Sequence, residues 1–324
     1  QAKRDVSPDG KWRAYIHEHN VYVRATEGDE KIQLSKDGKK DNAYQAPYWA
    51  PNSNNLIAYR IEPSKISEVH LLESSPRGGG KAKLYTRRYA LPGDKFTSHE
   101  LNWFDIEKKL HVKPDVGVID FHWPNMRWSP DGRTFTYRKV DRGHQRFRII
   151  EVDTFTGKAR NIIDEVSKTF IWTNHAKDYG VSRVTWLKKT KEIIYISEQD
   201  GWRHLYLVDV ATGKQKQITK GEYVLRYVDK IDEEKRQIWF RASGRNPKQD
   251  PYLIHYYRIN FDGVGLTALT EGDGTHEVRY SPDRKYLIDT YSRIDMAPVN
   301  ELRRVSDGGL VCKLEESDIS QLEA

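Results

Sequence analysis

The sequence predicts an all-β protein, a β-propeller whose blades are four-stranded sheets. Three observations carry this. Short strands with alternating apolar and polar residues recur along the whole chain, separated by turns rich in Pro, Asp, Asn and Gly. A Ser-Pro-Asp turn stands at Ser7, Ser129 and Ser281, and weaker versions near residues 50, 187 and 232 complete a series. Its intervals are about 45 to 60 residues, with one of about 80. The same hairpin occurs twice, as IEVDTFTGKARNI and LVDVATGKQKQIT. One small sheet cannot bury both faces alone, but sheets stacked side by side around an axis can, which is why a period of this length reads as a propeller.

Residues 126–162 form the clearest unit. A first strand ends at Trp128, and Ser129-Pro130-Asp131-Gly132 turns the chain. Pro presets φ, Asp caps the turn with its carboxylate, and Gly accepts the left-handed exit. Phe135, Tyr137 and Lys139 alternate in the second strand, residues 146–152 make a β-branched third, and 159–163 follow a turn at 153–158.

The other units vary this plan. The first has strands at 12–16, 20–24 and 31–34 after Ser7-Pro8-Asp9-Gly10, with its opening strand barely present. The second has 46–49, 56–60, 68–72, 99–106 and 109–112, interrupted by Pro76-Arg77-Gly78-Gly79-Gly80, which reads as a loop because no Lys-Ser/Thr pair follows to cradle a phosphate. An inserted loop is expected at 164–180. The fourth unit has 184–186, 193–197, 204–210 and 215–219; the fifth 227–231, 237–242, 254–259 and 266–269; the sixth 277–280, 286–291, 300–304 and 310–314. The expected blades are 1–42, 43–115, 116–166, 180–224, 225–274 and 275–314, so 1–314 is propeller. Residues 315–324 form a short helix or linker, on the spacing of Leu314, Ile319 and Leu322.

Composition excludes several functions. Net charge is +7, but Lys/Arg and Asp/Glu are interspersed, so no nucleic-acid arm is expected. The single cysteine, Cys312, cannot form an internal disulfide. No apolar run approaches the roughly 18 residues of a membrane span. His17 and His19 read as a solvated pair, and with no HExxH and no Cys pair neither metal nor cofactor is expected. No G-x-S-x-G occurs and no His stands with a Ser and an Asp at a telling position, so no catalytic residue is assigned. Gln1 is not an initiator Met, and the chain reads as a piece of a longer precursor.

Four stretches carry a resemblance: ISEQDGWRHLYLVDVATGKQKQIT (196–219), ASGRNPKQDPYLIHYYRINFDGVGLTALT (242–270), THEVRYSPDRKYLIDTYSRIDMAPVNELR (275–303) and YALPGD (89–94). Together they resemble the propeller of dipeptidyl peptidase IV-like serine peptidases, in the prolyl oligopeptidase clan. The resemblance implies a propeller of about eight blades, of which six are recognisable here, so blades upstream and an α/β-hydrolase domain of the same parent chain are expected outside this piece. It also implies a short peptide substrate, a periplasmic or extracellular location, and a homodimer of the full-length protein.

Substrate-binding candidates follow from the same likeness. Asp200, Trp202, Arg203 and His204 form the most family-like short segment, although a Trp packed between sheets is the plainer reading of Trp202. Family members anchor the substrate amino terminus with a Glu pair in D-W-x-x-x-E-E, a charge-assisted contact. Here Asn102-Trp103-Phe104-Asp105-Ile106-Glu107-Lys108 matches at Trp and at Glu107 but places Lys108 where the second Glu should stand, and its periodicity is that of a hairpin. Glu233-Glu234 sits in a turn without the Asp-Trp and reads as solvated. A second reading stays open: a free-standing propeller that binds a protein or glycan through long loops at 74–98 and 164–180.

Overall fold

A computed structural model describes residues 5–121, 123–124, 126–173 and 183–323. The expected loop at 164–180 and the expected start of the fourth unit at Val181 lie partly outside them. The chain divides into two compact units, Gln1–Asp164 and Glu165–Ala324.

The first unit opens with β1 (Trp12–His17), β2 (Asn20–Ala25) and β3 (Lys31–Gln33), joined in one antiparallel sheet. A single antiparallel bridge joins Val6 to Arg13 of β1. The next sheet orders β4 (Ala43–Trp49), β5 (Asn55–Glu62), β8 (Ser98–Asp105) and β9 (Leu110–Val112). Between β5 and β8 the chain leaves the sheet as a separate hairpin of β6 (Glu68–Glu73) and β7 (Lys83–Arg88). The strand expected at 68–72 thus exists but pairs outside the blade. The third sheet is β10 (Met126–Trp128), β11 (Thr134–Val140), β12 (Arg146–Asp153) and β13 (Ala159–Val166), in chain order.

In the second unit the fourth sheet holds β14 (Val184–Trp186), β15 (Glu192–Ser197), β16 (His204–Asp209) and β17 (Gln215–Gln217). The fifth holds β18 (Val224–Asp232), β19 (Gln237–Ser243), β20 (Ile254–Asn260) and β21 (Thr267–Ala268). The sixth holds β22 (Thr275–Tyr280), β23 (Tyr286–Arg293), β24 (Met296–Arg304) and β25 (Leu310–Glu316). The terminal helix is a single turn, α1 (Ser320–Glu323). Leu314, expected on that helix, belongs to β25, because Val299 of β24 still pairs as far out as Glu316.

Sheets stack because each central strand is apolar on both faces. On β5, Leu56 and Ala58 pack with Val21, Val23 and Phe104 of the cluster shared with the first sheet. The alternate residues Ile57, Tyr59 and Ile61 pack with Trp128, Phe135 and Tyr137 of the third. The same division recurs on β19: Ile238, Phe240 and Ala242 face the fourth sheet's Ile194 and Leu205, whereas Trp239 packs with Leu287 of the sixth. A period of 2 puts successive side chains on opposite faces, so one strand serves two interfaces. Each fully buried side chain of this size contributes roughly 1.5–3 kcal/mol.

The Ser-Pro-Asp turns explain their own recurrence. Asp9 accepts from the Ser7 hydroxyl at 2.6 Å and from the Lys11 amide at 3.1 Å. Asp131 repeats this with Ser129 and Arg133 at 2.6 and 3.0 Å, and Asp283 with Ser281 and Lys285 at 2.8 and 3.1 Å. These turns also clasp neighbours. The Asp9 amide donates to Ser53 at 3.0 Å, and Asn55 donates to the Gly132 carbonyl at 3.1 Å.

Candidate functional site

The family-like segment at residues 200–204 connects β15 to β16. Ser197 Oγ accepts the Gln199 amide, and the Glu198 carbonyl accepts the Gly201 amide at 2.9 Å. Asp200 accepts the Trp202 amide at 3.1 Å, while its second oxygen holds the Gln217 side chain of β17. Asp200 is therefore the peg of a tight turn. Trp202 does not pack between sheets; it is 39% exposed, because the turn carries it off the strand before β16 begins.

Arg203 is half-buried, with its guanidinium 5.0 Å from the centre of the Trp172 ring. Burial lowers its pKa; Glu198 pulls the other way, and Arg183 and Arg226 add to the lowering. A cation in this state gains from an incoming anion, which would offset both desolvation and repulsion. Arg183 fixes the platform. Its guanidinium donates to the Trp172 carbonyl at 2.7 Å and to the Ile196 carbonyl at 2.9 Å, and lies 3.8 Å from Glu165, which also accepts the Tyr195 hydroxyl.

His204 belongs to the scaffold. Its side chain has no exposed surface. Nε2 donates to the Gly221 carbonyl at 2.8 Å, which leaves Nδ1 to accept from the Thr219 hydroxyl at 3.0 Å. The ring meets Tyr223 edge-on at 4.9 Å.

Glu107 is exposed in the turn between β8 and β9, and its amide donates to Asn54 at 3.1 Å. It lies in the first unit, the segment at 200–204 in the second. Trp103 is 5% exposed in the core between the second and third sheets, so the Trp of that partial motif is structural. Glu233, read as solvated, clasps the neighbouring blade: its carboxylate accepts the amides of Lys188 and Lys189 at 2.9 Å. Among the described residues no group of three or more His, Cys, Asp or Glu is placed to hold a metal ion, and no helix is long and apolar enough to cross a membrane.

Sequence reasoning missed Trp172, Arg183 and Arg226. Trp172 and Arg183 sit in stretches without periodicity, and a cation over a ring across 31 residues leaves no local pattern. The structure thus brings Arg203, Trp172, Arg183 and Arg226 into one aromatic and cationic neighbourhood, with Trp202 exposed beside Arg203 in sequence.

The described sheets are antiparallel and, within each unit, pack face to face on their neighbours; they define the β-propeller class. The chain matches the family described as "Dipeptidyl peptidase IV (DPP IV) N-terminal region" over residues 2–298, and it belongs to that family. Among curated relatives it is 22% identical over 322 residues to "Probable dipeptidyl-aminopeptidase B" of Aspergillus oryzae, covering 88% of this chain and 35% of the relative. It is 26% identical over 199 residues to "Dipeptidyl peptidase 4" of Trichophyton rubrum, covering 60% and 25%. Among solved structures, dipeptidyl peptidase 4 of Porphyromonas gingivalis shares the fold with a TM-score of 0.57 at 18% identity, over 98% of this chain and 45% of that one. The chain thus spans between a quarter and a half of the length of these proteins.

Proposed function

We propose that this chain is the non-catalytic propeller of a dipeptidyl peptidase IV-like serine peptidase, one that admits and positions short peptides for a Ser-His-Asp hydrolase domain of the same parent polypeptide, in the periplasm or outside the cell. The family match over residues 2–298 supports the class. The single observation that carries the positioning role is Arg203, a half-buried cation seated on Trp172 beside exposed Trp202. Such a group binds a peptide carboxylate or carbonyl by a charge-assisted hydrogen bond, while the indoles cover apolar side chains. Asp200 holds the turn and His204 anchors it. Nucleophile, general base and oxyanion hole would all come from the hydrolase.

Calorimetric titration with a short peptide acid and its C-terminal amide tests this. The acid binds more tightly, and Arg203→Ala removes the difference. Equal affinity for acid and amide in the unaltered chain contradicts the role given to Arg203.

A second reading, a propeller that binds a protein partner through its loops, is favoured by one observation. The β6–β7 hairpin exposes Leu71, Leu72, Leu84 and Tyr85 on a two-stranded sheet outside the blades. Full affinity for the peptide acid after that hairpin is shortened to a turn supports the first reading over the second.

A further inference from the structure

The second unit carries a cleft of about 500 Å³ between the fifth and sixth sheets, at the end where the β18–β19, β22–β23 and β24–β25 turns meet. Six cationic side chains line it: Lys230, Lys235, Arg258, Arg284, Lys285 and Arg304. Only two carboxylates, Asp232 and Asp283, line it with them. Arg304 is paired with Asp307 at 3.1 Å just outside the lining, which leaves five cations for the two carboxylates of the cleft.

The charges are incompletely used inside the protein. The Lys235 ammonium makes no ion pair with any described carboxylate, and Lys230 and Lys285 reach Asp232 and Asp283 only at 3.3 and 3.5 Å. Arg258 spends its donors on the backbone carbonyls of Val305 and Ser306, which keeps its charge without neutralising it. Two buried donors in the lining have no partner, Arg284 Nη1 and the indole N–H of Trp239, a residue only 4% exposed. The indoles of Trp103 and Trp128 are likewise unpaired in the core, so what marks these two donors is their place in a cationic cleft.

Arg284 supplies a further sign. It closes a Ser-Pro-Asp turn with φ of +54°, where the equivalent turns place Gly10 at +76° and Gly132 at +68°. The turn hydrogen bond is the same, from residue 284 to the Ser281 carbonyl at 2.9 Å and from Gly132 to Ser129 at 2.9 Å. Left-handed backbone strains a side chain with a Cβ; Ser53 takes the same place in the turn of the second sheet at φ +61°, so the strain alone does not single out Arg284, and its place in the cationic cleft does. Its guanidinium lies 4.4 Å from the centre of the Tyr280 ring, which fixes its direction. It is also within electrostatic reach of Asp229, whose other partner is Arg241 at 2.7 Å.

We propose that this cleft is a binding site for a small, multiply charged oxyanion, a polyphosphate or polycarboxylate, that takes the donors of Arg284, Lys235 and Trp239. The volume suits a ligand of that size, donors predominate among the free groups, and guanidinium and ammonium together serve planar and tetrahedral oxyanions. The site is separate from the peptide-positioning role of Arg203.

The test titrates the whole chain with sodium tripolyphosphate and, separately, with citrate, by calorimetry at low salt. One saturable site per chain is expected; tripolyphosphate alone identifies a phosphate ligand, and citrate alone a carboxylate one. Arg284→Gly weakens binding at least tenfold while the thermal midpoint holds or rises, since glycine relieves the turn. Lys235→Ala weakens it severalfold, and Lys40→Ala, on an exposed lysine of the first unit, does not. No saturable binding of either probe, undiminished binding in Arg284→Gly, or equal losses in Lys40→Ala and Lys235→Ala overturns the proposal. If Arg284→Gly lowers the midpoint through loss of its influence on Asp229, Lys235→Ala decides alone.

Discussion

At Gly132 the chain tolerates only a hydrogen. The residue has φ of +68°, and a Cβ there would come within 2.7 Å of the Asn52 side chain on the neighbouring blade. Gly132→Val therefore meets both backbone strain and a clash, costing about 1 kcal/mol or more. For a cooperative unit of 150–250 residues that lowers the thermal midpoint by roughly 2–4 °C or more; an unchanged midpoint rejects the turn geometry. A second residue makes stability depend on pH. His255 is held down to about pKa 4, first by burial and then by His276, whose ring centre is 4.5 Å away. The folded pKa lies below the unfolded value of about 6.5, so the unfolded chain binds the proton more tightly. The contribution is complete above pH 6.5 and is lost as pH falls toward 4. His255→Gln should show a shallower fall of midpoint across that window than the unaltered chain; an identical slope rejects the assignment.

At the scale of the element, the blades cohere through their turns as well as their cores. Glu233 joins the β18–β19 turn to the backbone of Lys188 and Lys189 after β14, and Arg236 of the same turn pairs with Glu192 at 2.8 Å. Glu233→Ala should lower stability by about 1 kcal/mol, the scale of a hydrogen bond to a charged group discounted for exposure, whereas Glu233→Gln keeps an acceptor and loses less. Equal midpoints for Ala and the unaltered residue in denaturant melts reject the clasp. Strands such as β5 and β19 were legible in the sequence because both faces are buried, giving apolar runs bounded by turn residues. The hairpins closing at Gly157 and Gly213 were legible because Asp153 and Asp209 each accept the amides of their own turn, at 2.8 and 2.7 Å. The β6–β7 hairpin was legible only in part: a strand at 68–72 was expected, but β7 and the pairing outside the blade were not, since almost every residue there is exposed and no alternation is imposed. Nor was the clasp of Glu233, because a carboxylate that accepts backbone amides leaves no mark on the sequence it grips. The candidate site was half legible: Asp200, Trp202 and Arg203 stand in one recognisable segment, but the Trp172 ring beneath Arg203 comes from a loop without pattern. His204 shares the segment and is buried, so likeness marked the neighbourhood and only burial separated its scaffold from its exposed groups.

At the scale of the whole molecule, the chain divides its chemistry by absence and excess. It carries Trp, Tyr and β-branched residues enough to stack sheets, and hydrogen-bonding side chains enough to cap every Ser-Pro-Asp turn, but no G-x-S-x-G nucleophile. The chain belongs to the dipeptidyl peptidase IV N-terminal family over residues 2–298, and the role proposed for it is to shape access to a reaction rather than to perform it. The most direct measurement is turnover of Gly-Pro-p-nitroanilide by the purified chain, with a serine-directed fluorophosphonate as covalent probe. The account predicts no release of p-nitroaniline above background and no labelling; sustained release, with labelling of one serine per chain, would contradict it.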